Sequence, residues 1–339
     1  MATLAFNAIA TVTLTGLFPT RKNPQAGSLT TQLQRREVPL NLLKPAIRDP
    51  STCKGNGFVD MPPRPPSKQP PPGNAHLHAS LGEYLGHGHS SIVFDLRDVQ
   101  LSSAPSDVVV PPLVVKVARI NRVTSLLREA WFYDDMECIQ GVSIPRCYGY
   151  FETEVPEDSD VRRQLLAVAK KYRPEDDGEE NLVLSRDQMM GPLHPLLAER
   201  CQRRDIIAVT ILEKLGPQLP LGQELSEETK EDLESMFEDM AHLCINNVED
   251  IRWENILQAP DTSSSLPSLP SPFTQKVHRW RAIDFELAIK INLSVPHCQL
   301  EHYCGLGGVY DHVESWYEEE YSWPEEESES DEDWLESRD

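Results

Sequence analysis

One short stretch of the chain sets polar side chains at a spacing that suits proton transfer and metal binding. In VEDIRWENIL, Asp250 precedes Asn255 by five residues, and Arg252 lies between them. A carboxylate can accept the proton of an attacking hydroxyl group, and a carboxamide oxygen is a ligand for hard cations such as Mg²⁺. This D-x-x-x-x-N spacing is common by chance, so its value depends on its surroundings. Here it follows a predicted long helix and precedes an apolar run.

Three more charged residues lie in apolar surroundings, where an unpaired charge is expensive. Asp284 occurs in the segment AIDFE, and Lys116 lies between valines in LVVKVARI. Taken alone, Lys116 is explained most simply as a solvent-facing strand residue. Glu129 is different, because a helix would place it on the same apolar stripe as Leu126 and Phe132, where it requires a cationic partner. Lys116, on the strand before that helix, is the predicted partner.

Two glycines, Gly86 and Gly88, lie in LGHGHSSIVF between two strand-like runs. Glycine in such a turn lets backbone N–H groups approach phosphate oxygens closely. A two-glycine hairpin is also a common structural turn, so this signal is weak by itself. Combined with a base, a lysine and two oxygen ligands for Mg²⁺, it completes the groups that phosphoryl transfer requires.

The apolar pattern predicts an order of elements around these residues. It predicts five strands and a helix before residue 214, with a further helix in the charged insertion, and then a long amphipathic helix followed by short strands. The predicted strands lie in LGEYLGHGHSSIVFDL (two), PPLVVKVARI, PRCYGYFETE, DIIAVTILEKLG and HRWRAIDFELAIKI. The predicted helices are TSLLREAWFYDDMECIQG ending at Gly141, DVRRQLLAVAKKY, and the long helix with Ser226 as its N-cap. Near the N-terminus, TVTLTGLF alternates as a strand does.

Composition limits the classes of partner. The 339-residue chain has a net charge of −22, and residues 314–339 alone carry 13 acidic residues and one basic residue. No basic stripe is present to contact phosphate backbones, so we expect no nucleic-acid partner. The seven scattered cysteines favour a reducing compartment, and no run of 18 apolar residues occurs. We therefore expect an intracellular protein, cytoplasmic or nuclear, with no membrane partner.

With these motifs the chain resembles the protein kinase-like superfamily over about residues 80 to 290, and in particular the short, divergent kinase-like proteins of fungi. GHGHSSIV is similar to the glycine-rich loop, VVKVA to the V-A-I-K strand and DFE to the D-F-G motif. VEDIRWEN is similar to the catalytic loop, and Glu129 matches the helix-C glutamate. The resemblance implies an α+β fold, a two-lobed protein kinase-like fold with a shortened C-lobe and disordered termini.

The same resemblance implies a division into domains. Residues 1–79 would be an N-terminal extension with a Pro-rich linker, MPPRPPSKQPPPG. Residues 80–213 would form a kinase-like N-lobe with a long insertion at about 153–204. Residues 214–313 would form the shortened C-lobe, followed by an acidic tail at 314–339.

The resemblance also implies a role for each candidate residue. Asp250 would be the catalytic base, and Arg252 lies where many kinases have a lysine that contacts the γ-phosphate. Lys116, held by Glu129, would bind the phosphates of ATP. The other implied contacts are Asn255 and Asp284 for Mg²⁺, and Gly86, Gly88, Val93, Glu213 and Leu215 for the nucleotide. The implied cofactors are therefore ATP and Mg²⁺, and the phosphoacceptor is a protein hydroxyl or a small molecule.

Three positions depart from the family pattern. Ser91 stands at the third loop glycine, Val248 at the loop histidine and Glu286 at the D-F-G glycine, and no A-P-E motif follows. The polar groups that the chemistry needs are all retained, which favours a Mg-ATP-dependent phosphotransferase. The alternative is a pseudokinase scaffold that binds a nucleotide or a partner without catalysis.

Two further hypotheses remain. An interaction protein whose motifs match by chance predicts that Lys116, Glu129, Asp250 and Asp284 do not converge in space. The segment HCQLEHYC contains residue types that bind zinc, but its spacing matches none of the common zinc fingers. An ordinary structural segment is therefore the prediction for HCQLEHYC.

Overall fold

The structure is a computed structural model that describes residues 2–16, 30–52, 57–104, 108–119, 121–156, 187, 191–261 and 266–315. The helix predicted at DVRRQLLAVAKKY, most of the predicted insertion and the acidic tail beyond Ser315 lie outside these residues. The strands are β1 (Ala2–Thr3), β2 (Ile9–Thr15), β3 (Thr30–Arg35), β4 (Ala75–His87), β5 (Ser91–Ser102), β6 (Val108–Val109), β7 (Leu113–Ala118), β8 (Cys147–Glu154), β9 (Ile206–Glu213), β10 (Ile245–Asn246), β11 (Ile256–Gln258), β12 (Trp280–Ala282) and β13 (Ile289–Lys290). The helices are α1 (Val123–Asp135), α2 (Pro195–Gln202), α3 (Glu227–His242) and α4 (Val295–Ser315).

Seven strands form a closed barrel, in which neighbours follow the order β2, β3, β8, β9, β7, β5, β4. All neighbouring pairs are antiparallel except β2 and β4, which run parallel and close the barrel. The alternation in TVTLT directs Val12 and Leu14 into the barrel, where both are fully buried. The strand predicted in this segment is therefore confirmed.

Strand β7 is buried on both faces. Leu113 and Val115 belong to the cluster inside the barrel, whereas Val114 and Ala118 pack in the cluster that contains α1. Because side chains alternate between the two faces of a strand, Lys116 lies on the side of α1. The alternation along LVVKVA therefore places the side chain of Lys116 on the face of β7 that packs against α1.

The predicted two-lobed protein kinase-like fold is wrong. The five strands expected before residue 214 are present, but β2 and β3 from the predicted N-terminal extension pair with them and close the sheet into a barrel. In the described chain after residue 214, only α3 and α4 are α-helices, and the rest consists of 3₁₀ turns, ladders of two or three residues and loops. Local periodicity identifies a strand but not its partner, and the fold class here depends on the partners.

Two predicted boundaries also differ from the structure. The helix expected to end at Gly141 ends at Asp135 and is followed by a 3₁₀ turn, Glu137–Ile139. Gly141 instead has a φ of 73° and donates its N–H to the carbonyl of Ile144 in the next turn. The strand expected over HRWRAIDFELAIKI is reduced to β12 and β13, because Asp284 between them has a φ of 65°, which no extended strand accommodates.

Helix α3 begins as predicted. The Ser226 hydroxyl accepts a hydrogen bond from the backbone N–H of Thr229 at 3.2 Å. Its apolar stripe, which includes Leu233 and Met236, is buried in the cluster that also holds Leu306 of α4. Within the described ranges, no helix combines the length and the apolar composition that a membrane span requires.

A buried histidine joins the loop before β12 to α3. The two ring nitrogens of His278 lie 2.8 and 3.1 Å from carboxylate oxygens of Asp232 and Asp239, and Asp239 also accepts hydrogen bonds from Ser143 and Ser271. Burial opposes a charge on the ring, but the hydrogen bonds to the two carboxylates outweigh it and raise the pKa of His278 above its usual value. The protonated ring can donate to both carboxylates at once.

We expect His278 to make the stability of the fold depend on pH. A group whose pKa rises on folding contributes its full stabilisation below its unfolded pKa and loses it as the pH rises through the folded pKa. The wild type should therefore be more stable than His278→Gln by an amount that is largest at about pH 6 and that shrinks toward about pH 9. Urea unfolding across this range measures it, with His242→Gln at the end of α3 as the control. A difference in unfolding free energy that does not change with pH would contradict a raised pKa of His278 in the folded protein.

Candidate active site

A buried cation lies between two carboxylates where β7 meets α1. Nζ of Lys116 is 2.7 Å from Oε2 of Glu129 and 2.8 Å from Oδ1 of Asp284. Lys116 is 6% exposed and Glu129 is 1% exposed. The ion pair that the sequence predicts between Lys116 and Glu129 is thus present, and Asp284 joins it from 168 residues further along the chain.

The cluster holds more negative than positive charge. Burial opposes the charge on Lys116, but Asp284, Glu129 and Glu286 outweigh it, so the pKa of Lys116 is raised above its ordinary value. Burial also raises the pKa of Glu129 to about 7, although the attraction of Lys116 acts in the opposite direction. Lys116 therefore keeps its proton firmly, whereas the carboxylates around it outnumber it and repel one another. A bound cation would relieve that repulsion.

A short ladder between β11 and β12 positions the second part of the site. The backbone N–H of Ile283 donates to the carbonyl of Asn255 at 3.0 Å, which brings Asp284 next to the loop that carries Asn255. Asp284 itself lies in the left-handed region of backbone space, which non-glycine residues rarely adopt and which is often found at functional sites. The next residue, Phe285, is fully buried, and its ring packs edge-on against Tyr133 with centroids 5.4 Å apart.

Asp250 is fully buried at the end of a 3₁₀ turn, Val248–Asp250. Its Oδ1 accepts from two guanidinium nitrogens of Arg252, of which Nε is 2.8 Å away, while its Oδ2 has no hydrogen-bond partner among the described residues. Nδ2 of Asn255 donates to the backbone carbonyl of Asp250 at 3.1 Å. Burial, together with repulsion from Asp284, raises the pKa of Asp250 to about 7, and Arg252 opposes the rise.

The turn between β4 and β5 lies over Asp284. A Cβ atom placed on Gly88 would be 3.5 Å from Oδ2 of Asp284, whereas one placed on Gly86 would meet nothing within 4 Å. In the strand register, Val93 is opposite Gly86 on β4 and opposite Lys116 on β7. These three predicted nucleotide contacts therefore belong to the same end of the barrel as Lys116.

In the predicted adenine-binding segment at residues 213–216, the side chain of Glu213 is already paired within the fold. The carboxylate of Glu213 accepts hydrogen bonds from the guanidinium and, at 3.2 Å, from the backbone N–H of Arg146. Any contact of Glu213 with a ligand would therefore come from its backbone, because its side chain is committed to Arg146. Leu215 is half-buried just beyond the end of β9.

The structure thus brings together most of the predicted residues, and it adds one to which sequence reasoning gave no role. The residues that meet at this end of the barrel are Gly88, Val93, Lys116, Glu129, Asp250, Arg252, Asn255 and Asp284. The addition is the buried Glu286, which Asp284 repels and Lys116 attracts. The signal for Glu286 was a carboxylate in the apolar run IDFELA, the same signal that singled out Glu129.

The histidines and cysteines of HCQLEHYC lie on α4. Cys298 and His302 are buried on one face, with Sγ 3.9 Å from Nε2. Burial lowers the pKa of His302 to about 4 and raises the pKa of Cys298 to about 12, so both side chains are neutral. No group of three or more His, Cys, Asp or Glu side chains in the described part of the chain is arranged to hold a metal ion. Cys298 and His302 therefore contribute to the packing of this helix against the core.

The comparisons with known proteins assign no family to this chain. No family model matches it, and no curated protein matches it. Among solved structures, it is similar to a chain of one titled "WaaP in complex with acyl carrier protein", with 12% sequence identity and a TM-score of 0.31, covering 68% of this chain and 72% of that one. At this identity and score, the likeness is weak and carries no conclusion about fold or activity.

Removing Lys116 should destabilise the fold, because the buried carboxylates of Glu129 and Asp284 would lose their cation. We expect Lys116→Met to lower the free energy of unfolding by about 3 to 5 kcal/mol. Adding Glu129→Gln to this variant should restore part of the loss, since one of the buried charges then disappears. Urea unfolding of the four proteins of this double-mutant cycle gives the coupling energy. Strictly additive effects would show that the two side chains do not depend on each other.

Proposed function

We propose that this chain is a Mg-ATP-dependent phosphotransferase whose acceptor is a protein hydroxyl or a small molecule. The observation that supports it is the convergence of Lys116, Asp250, Asn255 and Asp284 from distant segments at one end of the barrel. These are the groups that bind phosphates, hold a cation and accept a hydroxyl proton in phosphoryl transfer. Motifs that matched by chance would have no reason to meet in space.

In this proposal Lys116 is the group that binds the phosphates. Its raised pKa keeps it cationic, and Glu129 holds the ammonium in place from the other side. When a triphosphate binds, its oxygens would replace the Asp284 carboxylate as partners of the Lys116 ammonium. Gly88, which places no side chain between the turn and Asp284, would let backbone N–H groups approach those oxygens.

The donor set at Asp284 and Asn255 fits Mg²⁺. Both side chains offer oxygen ligands, and Mg²⁺ in nucleotide sites is bound by one or two carboxylates together with substrate phosphates. The excess of carboxylates around Lys116 also favours a cation at this place. When bound, Mg²⁺ would supply charge neutralisation of the phosphates.

Asp250 is the residue that would take the proton of the acceptor. Its Oδ1 is fixed by Arg252, which leaves Oδ2 to accept the proton of the acceptor hydroxyl. In that step the acceptor oxygen would bond to the γ-phosphorus of ATP, and the bond from this phosphorus to the departing ADP would break. The pKa near 7 is suited to a group that must take a proton and release it again at neutral pH. Arg252, whose side chain is more than half exposed, could reach the γ-phosphate only by leaving Asp250.

A nucleotide-binding scaffold without catalysis is the second candidate, and one observation favours it. Arg252 holds Oδ1 of Asp250 with two nitrogens, a charge-assisted contact that lowers the basicity of the carboxylate. If that contact persists when the nucleotide is bound, Oδ1 cannot take the proton and Arg252 cannot reach the γ-phosphate. The scaffold would retain nucleotide binding through Lys116 and lack transfer.

Nucleotide binding should depend on Lys116 and Asp284. Lys116→Met removes the phosphate-binding cation and Asp284→Asn removes a charged metal ligand, so each should weaken the binding of ATP with Mg²⁺ by about tenfold or more. The measurement is the rise in melting temperature with ATP concentration, with and without Mg²⁺, relative to each variant alone. Asp205→Asn, whose carboxylate pairs with Arg203 at the start of β9, is the matched control. An unchanged titration in Lys116→Met would count against the proposal.

Catalysis, in contrast, should depend on Asp250. Asp250→Asn keeps the size of the side chain but removes the charge that accepts the proton, so turnover should fall by about 100-fold or more with little change in ATP affinity. Radiolabelled phosphate transfer to protein and small-molecule acceptors, together with ATP hydrolysis without an acceptor, measures this. A wild-type protein that binds ATP but transfers phosphate to no acceptor would favour the nucleotide-binding scaffold without catalysis.

A further inference from the structure

The Pro-rich linker MPPRPPSKQPPPG, residues 61–73, is attached to the surface of the fold. The guanidinium of Arg64 donates a hydrogen bond to the backbone carbonyl of Asp134 in α1, and its Nε lies 3.8 Å from Oδ1 of Asp135. The Asp135 carboxylate is buried, whereas the Arg64 side chain is 26% exposed. The first half of the linker is thereby fixed to the C-terminal end of α1.

The 3₁₀ turn after α1 provides a second attachment. The carboxylate of Glu137 accepts hydrogen bonds from the Ser67 hydroxyl at 2.5 Å and from the backbone N–H of Lys68 at 2.8 Å. Oε1 of Gln69 accepts from the backbone N–H of Phe6 at 3.1 Å. These contacts hold the second half of the linker along the same surface.

The prolines determine the backbone conformation of residues 61–66. Each proline ring fixes φ at about −65°, and the residue before a proline is restricted to extended or polyproline II backbone. In MPPRPP every residue either is a proline or precedes one, and the structure forms neither helix nor strand there. This segment therefore has the character of a polyproline II helix, in which the same edge recurs about every three residues.

The three-residue repeat gives the linker one inward edge and two outward edges. Met61, Arg64 and Ser67 share the inward edge, since Arg64 and Ser67 contact α1 and the turn after it and Met61 is half-buried. The exposed residues of the other two edges are Pro62, Pro63, Pro65, Pro66 and Lys68. The fold thus uses one edge and leaves both proline edges to solvent.

Two adjacent proline edges suit the groove of a proline-recognition domain. SH3 domains bind P-x-x-P segments in the polyproline II conformation within grooves lined by aromatic side chains. Pro63 and Pro66 have this spacing, and Pro62 and Pro65 repeat it on the neighbouring edge. The exposed side chain of Lys68 lies two residues beyond Pro66, where its charge is complementary to an acidic side chain at the rim of such a groove.

We propose that the Pro-rich linker is a docking site for an SH3 domain of a partner protein, whose groove binds Pro63 and Pro66 and whose acidic rim pairs with Lys68. Polyproline II has no internal hydrogen bonds and is stiff before binding, so little conformational entropy is lost when a groove binds it. The attachment through Arg64 adds to this effect, because it keeps the proline edges outward. Docking of this kind does not require the proposed phosphotransfer.

Biolayer interferometry of the immobilised full chain against a panel of purified SH3 domains tests the docking site. We expect at least one domain to bind, and the double variant Pro63→Ala, Pro66→Ala to weaken that binding by about tenfold or more, because the groove loses both rings. Lys68→Glu should weaken it by about fivefold or more, since it places a like charge against the acidic rim. Pro71→Ala with Pro72→Ala, beyond the motif, is the matched control and should leave the dissociation constant unchanged.

A synthetic peptide of residues 60–69 separates recognition of the sequence from its accessibility in the folded protein. The full chain should bind the same SH3 domain at least as tightly as the peptide, because the fold holds the linker in the bound conformation. A domain that binds the peptide but not the full chain would overturn the docking site, and so would a lack of binding by both across the panel. An undiminished affinity of the Pro63→Ala, Pro66→Ala variant would overturn it as well.

Two further measurements test the orientation of the linker and the class of partner. Arg64→Ala removes the attachment to α1 but leaves the outward edges intact, so it should weaken binding about two- to threefold through lost preorganisation. Tighter binding by this variant would show that the fold obstructs the linker and would contradict the outward orientation of the prolines. Binding to purified WW domains that is insensitive to Lys68→Glu, with no binding to SH3 domains, would overturn the assignment of the partner.

Discussion

The buried ammonium of Lys116 is the interaction on which the rest of the site depends. A charge in the protein interior is tolerated only when its partners are held in good geometry. Here the three charged groups come from three parts of the molecule, since Lys116 belongs to the barrel, Glu129 to the helix beside it and Asp284 to the segment after β12. The ion pairs therefore tie the barrel to the C-terminal half of the described chain, and a shift of either would leave buried charges unpaired.

The surplus of carboxylates in this cluster is a feature that folding by itself does not explain. Glu129, Asp250, Asp284 and Glu286 face three cations, Lys116, Arg122 and Arg252, and the carboxyl groups of Glu129, Asp250 and Glu286 have raised pKa values. A core selected for stability alone would have apolar residues at some of these positions, because buried ion pairs contribute little net stability. Perturbed, mutually repelling carboxylates of this kind concentrate at functional sites.

Much of the site could be predicted from the sequence, and much of the fold could not. A carboxylate on an apolar helical stripe and a lysine in a valine-rich strand are informative because burial forces them to pair, which is why Lys116 and Glu129 were matched correctly. The barrel was missed because the alternation of TVTLT specifies which residues face inward but not that β2 pairs with β4. The pairing of the Glu213 side chain with Arg146 could not be predicted for a related reason, since the two residues are distant in sequence. Glu286 shows the same limit, because nothing local in the sequence indicates that its carboxylate lies beside Lys116.

Closure of the barrel also constrains the order in which the chain can fold. Strands β2 and β3 leave the ribosome well before β8, yet Arg35 of β3 is paired with Phe151 of β8. Contacts between residues so far apart form late, because a long loop must be closed before they give any stabilisation. During synthesis, the apolar faces of β2 and β3 and the edge of β3 that later pairs with β8 are therefore exposed for a time. Exposed strands of this kind tend to associate with other chains. The same closure that removes strand edges from the finished protein makes its earliest strands the most dependent on rapid completion, or on a chaperone that covers them in the meantime.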